Sequence, residues 1–195
     1  TQWKQISGTF KLPAHDKHEQ VKVEFAGSDG LSYYIDDLRI AKVEDQNTED
    51  DREIAENVLT KYNTSFEGVN DNGILYWWNH EAGSAANEKL IRTQYEENQK
   101  PSSDCGDHYL QVQLEDGKNK AYICDTEIAG MIKPEVTYEF TYYAKLAEGT
   151  DSGEVQLQVT STSKDWSSQK TATIELDKEI TLDTAQWKKV SGTFK

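Results

Sequence analysis

The segment Thr1-Gln-Trp-Lys-Gln-Ile-Ser-Gly-Thr-Phe-Lys11 returns almost unchanged as Ala185-Gln-Trp-Lys-Lys-Val-Ser-Gly-Thr-Phe-Lys195. Eight of the eleven positions are identical, at a constant offset of 184 residues. Self-similarity at a fixed period is the signature of repeated units, so the chain spans one period of a tandem repeat. We therefore expect residues 1–45 to be the C-terminal strands of a preceding unit, and residues 62–195 to be the N-terminal body of the next.

The two pieces are complementary. Joined in the order body then tail, residues 62–195 plus 12–45 would make one unit of about 165 residues, which is a usual size for a single domain. Residues 46–61 would then be an acidic linker that ends in a short helix. This helix either belongs to a free linker or packs on the edge of the domain, because its apolar residues fall near one helical face: Ile54, Val58, Leu59 and Tyr62.

Composition excludes several classes of partner. Of the 195 residues 35% are hydrophobic, with ten Tyr and five Trp, which is typical of a globular domain. The net charge of −14 would repel both nucleic acid and anionic membranes. The sequence has no run of about 18 apolar residues, which is the length that would predict a membrane-spanning helix. Neutral ligands and cations remain as partners.

Alternation of apolar and polar residues dominates the chain and predicts half-buried antiparallel strands. Gly, Pro and Asp-rich turns separate these strands, so the expected fold is all-β, a sandwich of two sheets. Residues 68–107 show no clean period, and such a long stretch is expected to be functional or to contain short strands. The predicted strands are 21–25, 33–40, 109–114, 121–128, 138–146, 154–160, 171–176 and 187–194.

Cys105 and Cys124 are the only cysteines. They are too few for a disulfide scaffold and lack the spacing of a zinc site. If Asp116-Gly117 is a hairpin turn, Cys124 would face about Gln111 rather than Cys105, so a disulfide would need other strand neighbours. Two free thiols are favoured over a disulfide, and both remain open.

Five segments, taken in the permuted order, resemble carbohydrate-binding modules of the family 4, 9 and 22 group. These modules are jelly-roll sandwiches attached to xylanases and other glycan hydrolases. The segments are Asn63-Thr-Ser-Phe-Glu67-Gly, Cys105-Gly-Asp-His-Tyr-Leu-Gln-Val112, Ile132 to Lys145, Gln186-Trp-Lys-Lys-Val-Ser-Gly-Thr-Phe194 and Tyr33-Tyr-Ile-Asp36-Asp37-Leu-Arg-Ile40.

The tandem arrangement with an acidic linker looks most similar to the modules inserted in family 10 xylanases of gut Bacteroidetes. The resemblance implies a jelly-roll β-sandwich of two antiparallel sheets. It also implies a secreted or cell-surface bacterial protein in which the module binds xylan beside a catalytic domain of the same polypeptide.

The resemblance further implies one structural Ca²⁺, where the first and last strands of the module meet. Calcium prefers six to eight hard oxygen ligands. Glu67 matches the family's ligand in the first strand and Asp36 the ligand in the last, with Asp37 as the alternative. The ion would join the two ends of the module.

Neutral polysaccharides offer hydroxyl groups and the C–H faces of their rings, so aromatic platforms combine with amides and carboxylates in their binding sites. Trp77, Trp78 and Asn79 match an early groove loop of the family, and only one Trp is expected to stack on sugar while the other joins the core. Tyr122 matches a strand-borne aromatic platform, and Glu24 matches an acceptor of sugar hydroxyls.

Further candidates come from alternation and from departures from the family. Four glutamines alternate with apolar residues and are expected to share one sheet face: Gln111, Gln113, Gln156 and Gln158. Two platforms of the family are missing, and Trp166 or Tyr95 is expected to replace one of them. The duplicated Trp3 and Trp187 are expected in the core.

No catalytic pattern stands out. With 35 acidic residues a pair of carboxylates can always be nominated, so their abundance says nothing about glycoside hydrolysis. The fragment is predicted to be non-catalytic, with a structural spacer or a protein-adhesion sandwich as the alternative to glycan binding. Residues 3–10 and 187–194 would occupy one strand position. The linker of about 20 residues is long enough for the chain to close on itself, so we expect a monomer, with a strand-swapped dimer as the alternative.

Overall fold

The chain folds as an all-β sandwich of two antiparallel sheets, as predicted. The computed structural model describes residues 3–28, 30–43, 56–71, 73, 75–81, 83–103, 105–148, 152–177 and 182–183. The strands of this part are β1 Lys4–Lys11, β2 Gln20–Gly27, β3 Tyr33–Lys42, β4 Asn79–His80, β5 Leu90–Gln94, β6 His108–Val112, β7 Lys120–Asp125, β8 Thr137–Leu146, β9 Ser152–Gly153, β10 Val155–Thr162, β11 Gln169–Thr171, β12 Thr173–Leu176 and β13 Leu182–Asp183.

Both sheets combine strands of the N-terminal segment with strands of the later part of the chain. The six-stranded sheet has the order β12-β1-β8-β3-β6-β5, and the five-stranded sheet has the order β11-β10-β2-β7-β4. β13 and β9 form a separate two-stranded ladder. Each of β1, β2 and β3 lies between two strands of the later part of the chain, so the N-terminal segment completes a sandwich built from residues on the far side of the linker.

Residues 3–10 and 187–194 would both occupy one strand position of the sandwich. The N-terminal copy occupies it in the structure. β1 runs antiparallel to β8, from Lys4 opposite Ala144 to Lys11 opposite Thr137, and its other edge pairs with β12. The second copy, with Trp187, lies outside the described residues.

Alternation along β2 shows why these residues form a half-buried sheet. Val21, Val23 and Phe25 are fully buried in the main core, while Lys22 and Glu24 between them point away from it. The same period of two holds in β7 and in the first half of β10, so this part of the five-stranded sheet has one apolar inner face and one polar outer face.

The strand predicted over residues 121–128 is too long. β7 ends at Asp125, and helix α1 occupies Thr126–Met131. The Asp125 side chain caps this helix by accepting a 2.9 Å hydrogen bond from the Glu127 N–H, which is the ordinary role of Asp before a first helical turn.

The described end of the linker packs on the sandwich. Residues 44–55 lie outside the described part, and residues 56–62 contain a single 3₁₀ turn, Thr60–Tyr62. Leu59 and Tyr62 are buried in the core, and Asn57 accepts a hydrogen bond from the Ile40 N–H. Of the two alternatives, packing on the domain edge therefore holds for this end.

Short strands do interrupt the irregular region, as β4 and β5 show. Cys105 is buried, Cys124 is half-buried, and both are free thiols. The chain reverses at Glu115 and Lys118, but β6 and β7 then enter different sheets. Gln111 therefore does not face Cys124.

Candidate functional site

Four polar or aromatic residues lie side by side across the five-stranded sheet. Gln158 of β10 is opposite Glu24 of β2, Glu24 is opposite Tyr122 of β7, and Tyr122 is opposite Asn79 of β4. Gln158, Glu24 and Tyr122 alternate with core residues on their strands, and Asn79 pairs with Tyr122 between the buried Trp78 and His80, so the four share the outer face. We call Gln158, Glu24, Tyr122 and Asn79 the site row. Each was a candidate from the sequence, and the structure brings them together.

Glu24 is the unusual member of the site row, because its carboxylate is only 1% exposed although it lies on an outer face. Lys22 Nζ donates a 2.7 Å hydrogen bond to Oε2, and Lys120 Nζ lies 3.3 Å from Oε1. The second pair falls outside hydrogen-bond geometry, so Oε1 accepts no hydrogen bond from the described residues. The ion pair with Lys120 offsets the charge of Oε1, while the capacity of this oxygen to accept a hydrogen bond stays unused among the described residues.

Two lysines neutralise this carboxylate. Lys120 also lies 3.6 Å from Glu81. Burial lowers the pKa of Lys120, but attraction to Glu24 and then to Glu81 outweighs it and leaves the pKa raised. Lys120 therefore stays protonated at neutral pH.

Two aromatic rings flank Lys22. Its Nζ lies 5.9 Å from the centroid of the Tyr122 ring and 6.0 Å from that of Trp166, so the two centroids are less than about 12 Å apart. Both distances are within the range of cation–π attraction. Trp166 is 41% exposed and Tyr122 is half-buried. The two rings therefore offer separate platforms on one face.

A tight turn between β10 and β11 carries Trp166. The Asp165 carboxylate accepts hydrogen bonds from the hydroxyl groups of Ser163 and Ser167, both at 2.7 Å, and from the Ser167 N–H at 3.1 Å. These bonds hold the pKa of Asp165 far below its usual value. His15 lies 2.9 Å from Ser168, which ties the turn to the segment before β2.

The two adjacent tryptophans face opposite ways, as expected. Trp78 is 1% exposed, stacks on Phe25 with centroids 5.8 Å apart and donates its indole N–H to the Tyr62 carbonyl. Trp77 has φ of +72° and is 54% exposed, with its ring edge against Tyr62. Trp77 lies just before β4, at the edge of the sheet that carries the site row.

Several of the sequence candidates lie outside the site row. Gln111 is on β6 of the six-stranded sheet, opposite Tyr34, and Gln113 comes just after that strand, so the four glutamines do not form one row. Gln156 lies on β10 beside the row and is bonded to Glu154. Tyr95 is 8% exposed, so it is not a platform.

Tyr95 belongs to a second apolar cluster, built around Trp3 and Cys105. The rings of Trp3 and Tyr95 have centroids 5.8 Å apart, and Tyr34 and Tyr109 pack against them. Trp3 is buried as predicted, but in this cluster rather than in the main core.

Lys22, Lys120 and Glu81 are site residues that sequence reasoning missed. Lys22 is two residues from Glu24, and Lys120 is two residues from Tyr122, so alternation along each strand gave the signal. Glu81 carried no such signal, because the two-residue strand β4 is too short to show a period.

The proposed calcium ligands approach one segment of the chain. A side chain on Gly106 would collide with the Glu67 carboxylate, and the neighbouring Cys105 thiol contacts Asp36. Glu67 already binds His108, through the backbone N–H at 2.8 Å and the ring at 2.7 Å, and lies 3.5 Å from Arg92.

Asp36 is a buried carboxylate. Its oxygens accept hydrogen bonds from the Tyr95 hydroxyl and the Asp37 N–H, both at 2.7 Å. Burial raises the pKa of Asp36 to about 7, although these hydrogen bonds act to lower it. The Asp37 carboxylate instead pairs with Arg39 Nε at 3.1 Å. Across the described ranges, no three His, Cys, Asp or Glu side chains meet as a metal-binding group.

Comparison with protein-family models, with curated proteins and with solved structures found no match for this chain. Among the described residues, no helix has the length and apolar character needed to cross a bilayer.

Proposed function

We propose that this chain is a non-catalytic carbohydrate-binding domain whose outer five-stranded face holds a neutral β-glycan, with xylan as the first candidate. The proposal rests mainly on the environment of the Glu24 carboxylate. A buried carboxylate that has one oxygen without a hydrogen bond from the described residues, and whose ion-pair partner Lys22 lies beside the rings of Tyr122 and Trp166, is suited to accept a hydrogen bond from a hydroxyl group. A sugar hydroxyl would satisfy it.

The neighbours of Glu24 supply the other contacts that a neutral sugar needs. Tyr122 and Trp166 offer flat apolar surface for the C–H faces of sugar rings. The Asn79 and Gln158 amides each offer both donors and an acceptor. Because Glu24 Oε1 has almost no solvent contact, an incoming hydroxyl must displace Lys120 or Lys22, and their charged groups would then move to the rim of the site.

The structural spacer is the second candidate, and the ion pairs around Glu24 favour it. A buried carboxylate held by two lysines also occurs as a purely structural network. A spacer, however, does not need partly exposed rings beside that network. Glycan binding explains both features, and it needs no catalytic carboxylate pair.

The resemblance to xylanase-associated modules supports the wider setting of the proposal. We propose that the domain is exported by a bacterium and keeps the catalytic domain of the same polypeptide, a glycoside hydrolase, on its insoluble substrate. Jelly-roll strand order is part of the same proposal.

Affinity electrophoresis tests the binding proposal. The chain would be run in native gels that contain xylan, cellulose, mannan or laminarin. We expect retardation on xylan, and a Tyr122→Ala variant should migrate freely. Glu139, exposed on β8 in the other sheet, offers Glu139→Gln as a control that should remain retarded. Retardation on none of the four polymers would favour the spacer.

We also propose that Asp36 and Glu67 hold a structural calcium ion with backbone carbonyl groups. Asp36 fits this role, because it is a buried carboxylate that accepts hydrogen bonds from two neutral groups, the Tyr95 hydroxyl and the Asp37 N–H. Glu67 fits only if it releases Arg92 and His108. When bound, the ion would supply the positive charge that Asp36 lacks and would join β3 to the segment after the linker.

A further inference from the structure

Only a strand with apolar and small residues at particular positions fits the place that β1 occupies. β1 is the second strand of the six-stranded sheet, between β8 and the edge strand β12. Its inward side chains Ile6 and Phe10 belong to the main core. Without a strand here, β8 and β12 would lose their shared partner and the core would open to water.

Gly8 lies where this position leaves the least room for a side chain. A Cβ at Gly8 would collide with the Glu175 carbonyl oxygen and lie 3.0 Å from the Phe140 ring. Since Glu175 belongs to the paired backbone of β12, it cannot withdraw without breaking the ladder. The preceding Ser7 donates a 2.7 Å hydrogen bond from its hydroxyl to the Asp177 carboxylate, and its carbonyl accepts one from the Asp177 N–H.

The C-terminal copy satisfies each of these demands in sequence. Trp187, Ser191, Gly192 and Phe194 stand where the N-terminal segment has Trp3, Ser7, Gly8 and Phe10. Lys189 replaces Gln5, which is half-buried and points outward. Val190 replaces Ile6 and lacks one methylene group. The copy therefore differs from β1 by one small loss of core volume.

The described chain leads toward this position. β13 ends at Asp183 and pairs with β9, and a Cβ at Gly153 of β9 would lie 3.7 Å from Leu146 at the end of β8. β1 begins opposite Ala144 of the same strand. The five residues from Asp183 to Lys188 span up to about 17 Å when extended, which lets the copy enter beside β8.

We infer that residues 185–195 are a second occupant of the β1 position and exchange with β1 within the same chain. The larger Ile6 side chain makes β1 the preferred occupant, by roughly two- to tenfold. Exchange releases residues 1–11 while the sheet stays complete. The fold thus contains a site for a specific peptide strand, and its sequence encodes two such strands.

Two glycine variants and their combination test the exchange by thermal unfolding of the whole chain. Gly8→Val should lower Tm by only roughly 2–4 °C, because the copy takes over with the smaller Val190. Gly192→Val should leave Tm unchanged. Gly8→Val with Gly192→Val should lower Tm by more than about 10 °C, because neither strand then fits. A Gly8→Val variant as unstable as the double variant would overturn the inference.

Disulfide trapping identifies the occupant directly. In the Gly8→Val background, Asp177→Cys with Ser191→Cys should form a bond within one chain, detected by mass spectrometry of the non-reduced protein. Asp177→Cys with Ser7→Cys should form its bond in the chain that retains Gly8. A stable Gly8→Val chain without the first bond, or a bond that links two chains, would contradict exchange within the chain.

Discussion

Glu24 points out of the sandwich and yet has almost no contact with water. Its neighbours on the same strand, Val23 and Phe25, are in the core, so the alternation of β2 fixes its outward direction. Lys22 and Lys120 shield it from the two sides. The carboxylate is thus held at one orientation before any ligand arrives, which reduces the conformational entropy lost on binding.

Glu24→Gln keeps the shape of the side chain and removes its charge. A hydrogen bond to a charged acceptor contributes about 1.5–3 kcal/mol, so we expect glycan affinity to fall roughly 10- to 100-fold. Titration calorimetry with a xylo-oligosaccharide measures this change. The control is Glu139→Gln in the other sheet, which should bind like the parent chain. Equal glycan affinities of Glu24→Gln and Glu139→Gln would show that Glu24 does not contribute to glycan binding.

Trp78→Ala and Trp77→Ala separate a core residue from a surface residue at adjacent positions. Loss of the Trp78 ring should lower the free energy of unfolding by about 3–5 kcal/mol, because it leaves a cavity between Phe25 and Phe66. Loss of the exposed Trp77 ring should cost less than about 1 kcal/mol. Urea unfolding at constant pH compares the two. Similar costs for both variants would contradict the different burial of the two rings.

The turn of residues 163–168 is the element that places Trp166. Its hydrogen bonds converge on Asp165 and Ser163, while Glu19 accepts a hydrogen bond from the Lys164 N–H. The turn is therefore fixed both internally and by the segment before β2. This arrangement keeps the ring of Trp166 within about 6 Å of Lys22 Nζ.

Asp165→Ala should loosen this turn and weaken glycan binding several-fold, with little change in Tm, because the turn is exposed. The pKa of Asp165 is depressed, so its stabilising effect is present above its unfolded pKa of about 4 and is lost only in stronger acid. Binding between pH 5 and 8 should therefore not depend on Asp165 ionisation. Native gels on xylan at both pH values measure this.

Lys164→Ala is the matched control for the turn, because it removes an exposed side chain and keeps the Asp165 hydrogen bonds. It should bind as strongly as the parent chain. A loss of binding equal to that of Asp165→Ala would mean that the Asp165 hydrogen bonds are not what binding depends on.

Most elements with a clear period of two were predictable, and their ends were less so. β2, β3 and β8 match the predicted strands closely, because apolar and polar residues alternate along most of each strand, although β3 has a register shift between Asp36 and Arg39. The end of β7 was missed because Ile128 continues the alternation while Asp125 already caps a helix. Capping depends on what the next turn packs against, and that is set by distant residues.

At the scale of the whole molecule, calcium would join the N-terminal strands to the later body. Addition of Ca²⁺ at 100 times its Kd should add about 2.7 kcal/mol of stability, which is roughly 5–10 °C in Tm for a chain of this size. EGTA should reverse the shift. Differential scanning calorimetry measures both.

Asp36→Asn should abolish the rise in Tm that Ca²⁺ causes. Asp71→Asn, in an exposed loop, should keep this rise. An unchanged Tm of the parent chain with Ca²⁺, or a full shift in Asp36→Asn, would rule out a calcium site at Asp36.

The site row was partly predictable from sequence. Alternation and resemblance together selected Glu24, Tyr122, Asn79 and Gln158. Gln111 was placed wrongly because the turn at Glu115 and Lys118 sends β6 and β7 into different sheets. Local sequence does not encode this choice, since a two-sheet crossover and a hairpin use the same turn residues.

Nuclear magnetic resonance mapping with a xylo-oligosaccharide tests the binding face most directly. Amide shifts should concentrate on β2, β7 and β10 around Glu24, Tyr122 and Gln158, while Gln111 on the opposite face stays unchanged. Shifts centred on Gln111 and Tyr34, or no shifts at a saturating concentration of the glycan, would contradict a glycan site on the five-stranded sheet.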